Sequence, residues 1–202
     1  DARVLVVAVK PAKWREAVAP LVDILPADTV IVSVMAGVPG AAMSEAFAGR
    51  PVVRVMPTTA VAQGRGVAAL SSTSAVALKA GRALFASMAT VVDLDDEARM
   101  NAATAVAGSG PAFVYAFVQA MAAAGEAQGL DPVAAEALAR GALRSAGSGA
   151  DTGRPLADLV SQIAAPGGTT QAGLDAMAAS VAAPATAAIT AAAKRAEELS
   201  GH

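Results

Sequence analysis

Two stretches of this chain combine glycines and hydroxyls in a way that could hold a small anionic ligand. The first is T-A-V-A-G-S-G-P-A-F at residues 104–113. Gly108 and Gly110 let the backbone turn close to a ligand, and Pro111 suits the first turn of a following helix. Thr104 and Ser109 set hydroxyls among alanine, valine and glycine. The same letters also make an interdomain turn with Ser109 as an N-cap. The second stretch is A-A-P-G-G-T-T-Q-A-G-L at residues 164–174, where two glycines and two threonines precede a helical run. Backbone N–H groups and hydroxyls at a helix N-terminus attract an anion, and a carboxylate suits such a place. Taken singly it is also a helix-to-helix turn with a threonine cap. The chain has no cysteine, which excludes thiolate nucleophiles, disulfides and cysteine-ligated metals, and no metal motif is legible. The one histidine, His202, ends the chain and reads as a solvated or tag-derived residue.

These loops need elements to carry them. β-Branched runs predict strands over residues 3–9, 30–35, 52–56, 67–71 and 89–93. Helices are expected over 13–25, with Trp14, Val18, Leu21 and Val22 on the apolar face, over 39–47, and over 75–87 with Leu78, Leu84 and Phe85 inward. Residues 57–66 read as a loop from their proline, threonine and glycine content. Such alternation predicts a mostly parallel α/β sheet with right-handed connections. Ligands gather at the carboxyl ends of strands in such sheets. Those ends carry Ala8, Val9, Lys10 and Pro11, then Met35, Ala36 and Gly37, then Met56, Pro57 and Thr58.

From Asp95 the period becomes helical, with helices expected over 95–106, 111–128, 132–150, 155–163 and 170–200, the last open to a break at Pro184. Asp131 and Pro132 read as N-cap and first helical residue. The domains expected are therefore residues 1–94, an α/β part, and residues 95–202, an all-helical part.

The composition is 55% hydrophobic but only 3% aromatic, and alanine dominates after Asn101. Helices of that kind touch closely and cover extensive interfaces, so a second copy related by two-fold symmetry is expected. A formal net charge of −2 without a basic stripe argues against nucleic acid. The uncharged run 176–193 is alanine-rich and interrupted by Ser180, Pro184, Thr186 and Thr190, so it reads as helix packed on helix and not as a membrane span. Absent cysteine fits a reducing compartment, and a cytoplasmic location is expected. No secretory signal opens the chain, and only Asp1 and Ala2 precede the first strand, an abrupt start for a native sheet.

V-A-V-K-P (7–11), M-A-G-V (35–38), V-R-V-M-P (53–57) and the two glycine–hydroxyl stretches together resemble the pyrroline-5-carboxylate reductases in order and spacing. The resemblance implies that residues 1–94 are a partial Rossmann-like dinucleotide-binding domain and residues 95–202 an all-helical dimerisation and substrate-binding domain. It implies reduction of Δ1-pyrroline-5-carboxylate to L-proline, the last step of proline biosynthesis, by hydride from NADPH or NADH. Thr104 then stands where a hydroxyl approaches the imine nitrogen. Ser109 belongs to the same substrate-facing motif, and Gly167, Gly168, Thr169 and Thr170 match the loop that takes the substrate carboxylate from the second subunit. A homodimer with a shared active site follows, with higher assemblies such as decamers known in the family. Ala8, Val9, Lys10, Pro11, Ala36, Gly37, Met56, Pro57 and Thr58 match positions beside the cofactor.

The family's opening strand and G-x-G-x-x-G-like turn are not among these residues, and Gly64-Arg65-Gly66 is no substitute, so the expectation is a fragment beginning after the phosphate loop. Departures matter too. Thr58, Thr59 and Ala60 replace the usual asparagine and threonine-proline, Ala107 and Ala165 replace serine, and Phe113 replaces tyrosine. Each lost hydrogen bond to a charged group costs roughly 1.5–3 kcal/mol. A non-catalytic dimerising fragment, a divergent paralogue, or a reductase of another cyclic imino acid are the alternatives.

Overall fold

The computed structural model describes residues 2–200, so His202 lies outside the described residues. The β-branched runs form β1 (Val4–Val7), β2 (Val30–Ser33), β3 (Val52–Pro57), β4 (Gly66–Ser71) and β5 (Ala89–Asp93), hydrogen-bonded in that order in one sheet. β1, β2 and β3 are mutually parallel, β4 runs antiparallel to β3, and β5 is parallel to β4. The sheet is therefore mostly parallel, as the alternation predicts. The reversal arises because the β3–β4 connection is too short for a crossover. It holds only a 3-10 turn, Thr59–Gln63, closed by Gly64 in the left-handed region at φ 68°. Gly66, at the start of β4, sits against that turn with no room for a side chain: a Cβ would lie 2.7 Å from the Val61 backbone nitrogen.

Helices α1 (Trp14–Val18) and α2 (Gly40–Ala46) cover one face of the sheet through Trp14, Val18, Met43 and Phe47, packed on Val7 and Ile31. Helix α3 (Ala75–Phe85) covers the other through Ala77, Gly81 and Phe85 against Val53 and Leu70. Two sequence expectations are corrected here. The helix expected over 13–25 shrinks to α1 flanked by 3-10 turns, because Pro20 lacks the N–H and crowds the carbonyl four residues back. Leu84 is 37% exposed and not inward, since the buried face of α3 repeats at 77, 81 and 85. Arg50, buried, donates to the carbonyls of Pro26, Phe47, Val22 and Leu25 at 2.6–2.9 Å. It thereby ties the segment after α1 to the end of α2, and its charge is satisfied by carbonyl dipoles.

Beyond β5, Asp96 caps a 3-10 turn (Glu97–Arg99) by accepting from the Ala98 N–H, and the chain stays helical to residue 127. It passes through α4 (Met100–Ala103), a π-helical turn (Thr104–Ser109) and α5 (Gly110–Ala127). The glycine turn expected over 104–113 is thus a wide helical turn, and Ser109 is not an N-cap. Pro111 explains the geometry: inside a helical run its ring would collide with the Ala107 carbonyl, and widening the turn just before it relieves the clash. Gly110 accordingly stays right-handed, at φ −48°.

Helix α6 (Pro132–Ala150) begins where expected, with the Asp131 carboxylate accepting from Val133 and Ala134 N–H groups. Helices α7 (Leu156–Ile163), α8 (Thr169–Met177) and α9 (Ala182–Ser200) follow. The break in the last run falls at residues 178–181, ahead of Pro184, which occupies the first turn of α9 where a missing N–H costs nothing.

Among the described residues two compact units are distinguishable, one of residues 2–110 with 189–200 and one of residues 111–188. Among the described residues one helical run, Glu97–Ala127, is long and apolar enough to cross a membrane, and α8 and α9 would qualify only as a pair bent by 55°. Helix α5 buries none of its own residues, and Phe113, Tyr115, Phe117 and Met121 stand exposed on it.

Candidate active site

The parallel register sets the site. Val7 lies beside Ser33 and Ser33 beside Arg54, so the segments that follow β1 and β2 and the end of β3 emerge along one edge of the sheet. Gly37 turns there at φ 77°, a conformation that only glycine enters freely. The helical run from Glu97 returns to this edge. Gly108 faces Met56 there, where even a Cβ would stand at an ordinary contact distance of 3.4 Å from Met56 Cε, so the π-helical turn lies beside β3. Between them is a small cavity of about 90 Å³, lined by Met35, Ala36, Gly37, Met56, Met100, Asn101 and Thr104, with Arg54, Val55 and Ala196.

Four residues expected from the sequence therefore meet in one place: Ala36, Gly37, Met56 and Thr104. Thr104 Oγ1 donates to the Met100 carbonyl at 2.8 Å, the back-bond that a helical threonine favours, which leaves its lone pairs free to accept. Ala8, Val9, Lys10, Pro11, Pro57, Thr58 and Ser109 do not line this cavity. Ala8, Val9 and Lys10 follow β1 and are exposed, with Pro11 opening a 3-10 turn. Thr58 is engaged with β4: its Oγ1 accepts from Val67 N–H at 3.0 Å and its N–H donates to the Val67 carbonyl at 2.9 Å. Ser109 is half-buried on the π-helical turn.

Sequence reasoning missed Arg54 and Asn101. A charged residue inside V-R-V-M-P is the signal for the first, since a strand buried on both faces admits a cation only with a partner. Asn101 lies three residues before Thr104 on the same helix, a spacing that shares one face. Among the described residues no group of three His, Asp or Glu side chains could hold a metal ion.

In the second unit, Pro166–Gly168 form a tight turn in which Gly167 is left-handed (φ 73°) and the Gly168 N–H donates to the Ala165 carbonyl at 3.0 Å. Helix α8 starts at Thr169 with Gly168 as its N-cap and no capping side chain. The first-turn amides of α8, beside the Thr169 and Thr170 hydroxyls, are thus open to an anionic ligand.

Comparison with known proteins gives the family. The family model described as pyrroline-5-carboxylate reductase dimerisation matches residues 97–199. This chain belongs to the pyrroline-5-carboxylate reductase family. A pyrroline-5-carboxylate reductase of Pseudomonas aeruginosa is 37% identical over 180 residues, covering 86% of this chain, and the chain spans 66% of that protein's length. The pyrroline-5-carboxylate reductase of Coxiella burnetii superposes with a TM-score of 0.91 at 26% identity, covering 99% of this chain and 77% of the other. A Plasmodium falciparum pyrroline carboxylate reductase with NADP bound shares the fold, with a TM-score of 0.77, 24% identity, and coverage of 98% and 77%. The family fold, a parallel-dominated sheet followed by helices that carry dimerisation, is the one described above.

Proposed function

We propose that this chain is the larger part of an NAD(P)H-dependent reductase that converts Δ1-pyrroline-5-carboxylate to L-proline in the cytoplasm. The observation that carries this reading is the meeting of Thr104 with Ala36, Gly37 and Met56 in one cavity at the carboxyl edge of the sheet. Residues 1–94 serve in this reading as the cofactor side and 95–202 as the dimerisation and substrate side. The cavity walls fit a flat ring: Met35, Met56 and Met100 are apolar, and Gly37 leaves out a side chain. A reduced nicotinamide, when bound, would supply the hydride. Ala36, Gly37 and Met56 would hold its ring, and Ala8, Val9, Lys10, Pro11, Pro57 and Thr58, on the same edge, the rest of the dinucleotide.

The chain's own part is then placement and charge. The Thr104 hydroxyl, polarised by donating to Met100, accepts from the N–H of a protonated imine nitrogen and so favours the hydride-accepting form of the substrate. Gly167, Gly168, Thr169 and Thr170 receive the substrate carboxylate at the N-terminus of α8, with Ser109 beside the substrate. In a homodimer each copy lends this turn to the other's site, and in this reading dimers join into larger rings such as decamers. The exposed apolar face of α5 supports a second copy as its cover, and neither lipid nor nucleic acid is needed to account for it.

Gly168→Ala tests the carboxylate turn. The new Cβ would stand 3.0 Å from the Ala165 carbonyl oxygen, a contact that reshapes the turn without touching the cofactor edge. Steady-state kinetics on the full-length protein should show KM for the imino acid raised about tenfold, equivalent to ~1.4 kcal/mol, with KM for NADPH unchanged. Absence of proline formation by the unmutated full-length protein at saturating imino acid would overturn the assignment itself.

A further inference from the structure

The cavity has three walls: β3, the turn that leads from β2 into α2, and the helical run that carries Thr104. One carboxylate joins all three. Glu97 Oε1 accepts from Arg54 Nη1 at 2.8 Å and from the Gly40 backbone N–H at 2.9 Å. Arg54 belongs to β3, Gly40 opens α2 just after the Ala36–Gly37 turn, and Glu97 begins the helical run seven residues before Thr104, two turns along the same helix. Arg54 is 8% exposed, its Nε has no partner, and Glu97 is the acid that balances its charge.

Gly40 completes the arrangement. A Cβ there would lie 2.9 Å from Glu97 Oε2 and 3.8 Å from Arg54 Cγ, so an added methyl would push the carboxylate aside from its place over the end of α2. A surface ion pair would bring little, but here the cation is buried, and losing the acid would strand it.

From this geometry we infer that Arg54 and Glu97 are positioning residues for the reductase site, fixing Thr104 against the Ala36–Gly37 turn through an ion pair in which Arg54 backs the cavity wall while Glu97 and Gly40 stand outside its lining. The inference rests on the functional reading above. Since the imino acid carboxylate is held by the α8 turn, the pair acts on the chemical step and not on substrate affinity.

The test uses the full-length protein and four single variants. Glu97→Ala and Arg54→Met should each lower kcat about tenfold with KM for the imino acid within about twofold of the unmutated value. The double variant should be no worse than either single one, because both break the same contact. Gly40→Ala, which displaces the carboxylate without removing it, should fall in the same direction, and Arg54→Lys should keep most of the rate. Amide hydrogen exchange gives a readout apart from turnover: Glu97→Ala should speed exchange over residues 36–42 and 100–109 while leaving α3 unchanged. Unchanged kcat in Arg54→Met and Gly40→Ala, or losses that multiply in the double variant, would overturn the inference while the reductase assignment stands. If the unmutated protein makes no proline, the assignment falls, and the exchange pattern alone then decides whether the pair fixes these segments: unchanged exchange in Glu97→Ala overturns it.

Discussion

Replacing Thr104 with alanine should lower kcat for pyrroline-5-carboxylate reduction by about 100-fold, the scale on which a positioned hydroxyl assists proton transfer. The residue lines the cavity with Ala36, Gly37 and Met56, and its hydroxyl is already polarised by the Met100 carbonyl. Stability should barely change, since only one half-buried hydrogen bond is lost, about 1 kcal/mol. Thr104→Ser keeps the hydroxyl and should keep most of the rate; Thr104→Val keeps the shape and should behave as the alanine variant does. Turnover by Thr104→Ala within about threefold of the unmutated enzyme would leave this side chain with a structural part only.

A second large effect is expected at Gly66, and it concerns folding. A Cβ at this position would meet Val61 Cγ1 at 2.3 Å, Val61 N at 2.7 Å and Val61 Cα at 2.8 Å. Backbone atoms cannot swing aside as a flexible side chain can, so either the 3-10 turn or the start of β4 must move. Gly66 also donates to the Met88 carbonyl at 3.0 Å and leads the parallel pairing with Ala89 on β5, so a shift would spread into the sheet. Overpacking of this kind should cost about 3 kcal/mol. Gly64→Ala is the comparison: nothing stands within 4 Å of the new Cβ, and only the left-handed φ of 68° is penalised, at about 1 kcal/mol. Urea unfolding monitored by circular dichroism should separate the two variants in that order, and equal midpoints would show that the turn gives way freely.

Much of the fold was legible because it follows from local chemistry. β-Branched runs became strands, Asp131 and Pro132 opened α6 at the predicted residue, and the parallel part of the sheet brought its carboxyl ends to one edge. What escaped depends on steric detail. Two glycines beside Thr104 read as a turn, but Pro111 within a continuing helix asks for a widened turn, in which Gly108 faces Met56 of β3 and Gly110 faces open space. Pro20 and Pro184 moved helix limits for the same reason, one by ending a helix and one by fitting its first turn. At the candidate site, alanine and glycine positions were found through strand ends, whereas Arg54 was passed over because its partner, Glu97, stands 43 residues away in sequence. No single-residue periodicity reports such a pair.

The bare α5 has a thermodynamic consequence. A helix of 18 residues that buries none of them inside its own chain draws little of its stability from that chain, and alanine-rich segments are marginal in isolation. Its melting is then governed by mass action: dilution should lower the unfolding temperature of the helical part, so that a single Tm quoted without a protein concentration would have no meaning for this molecule.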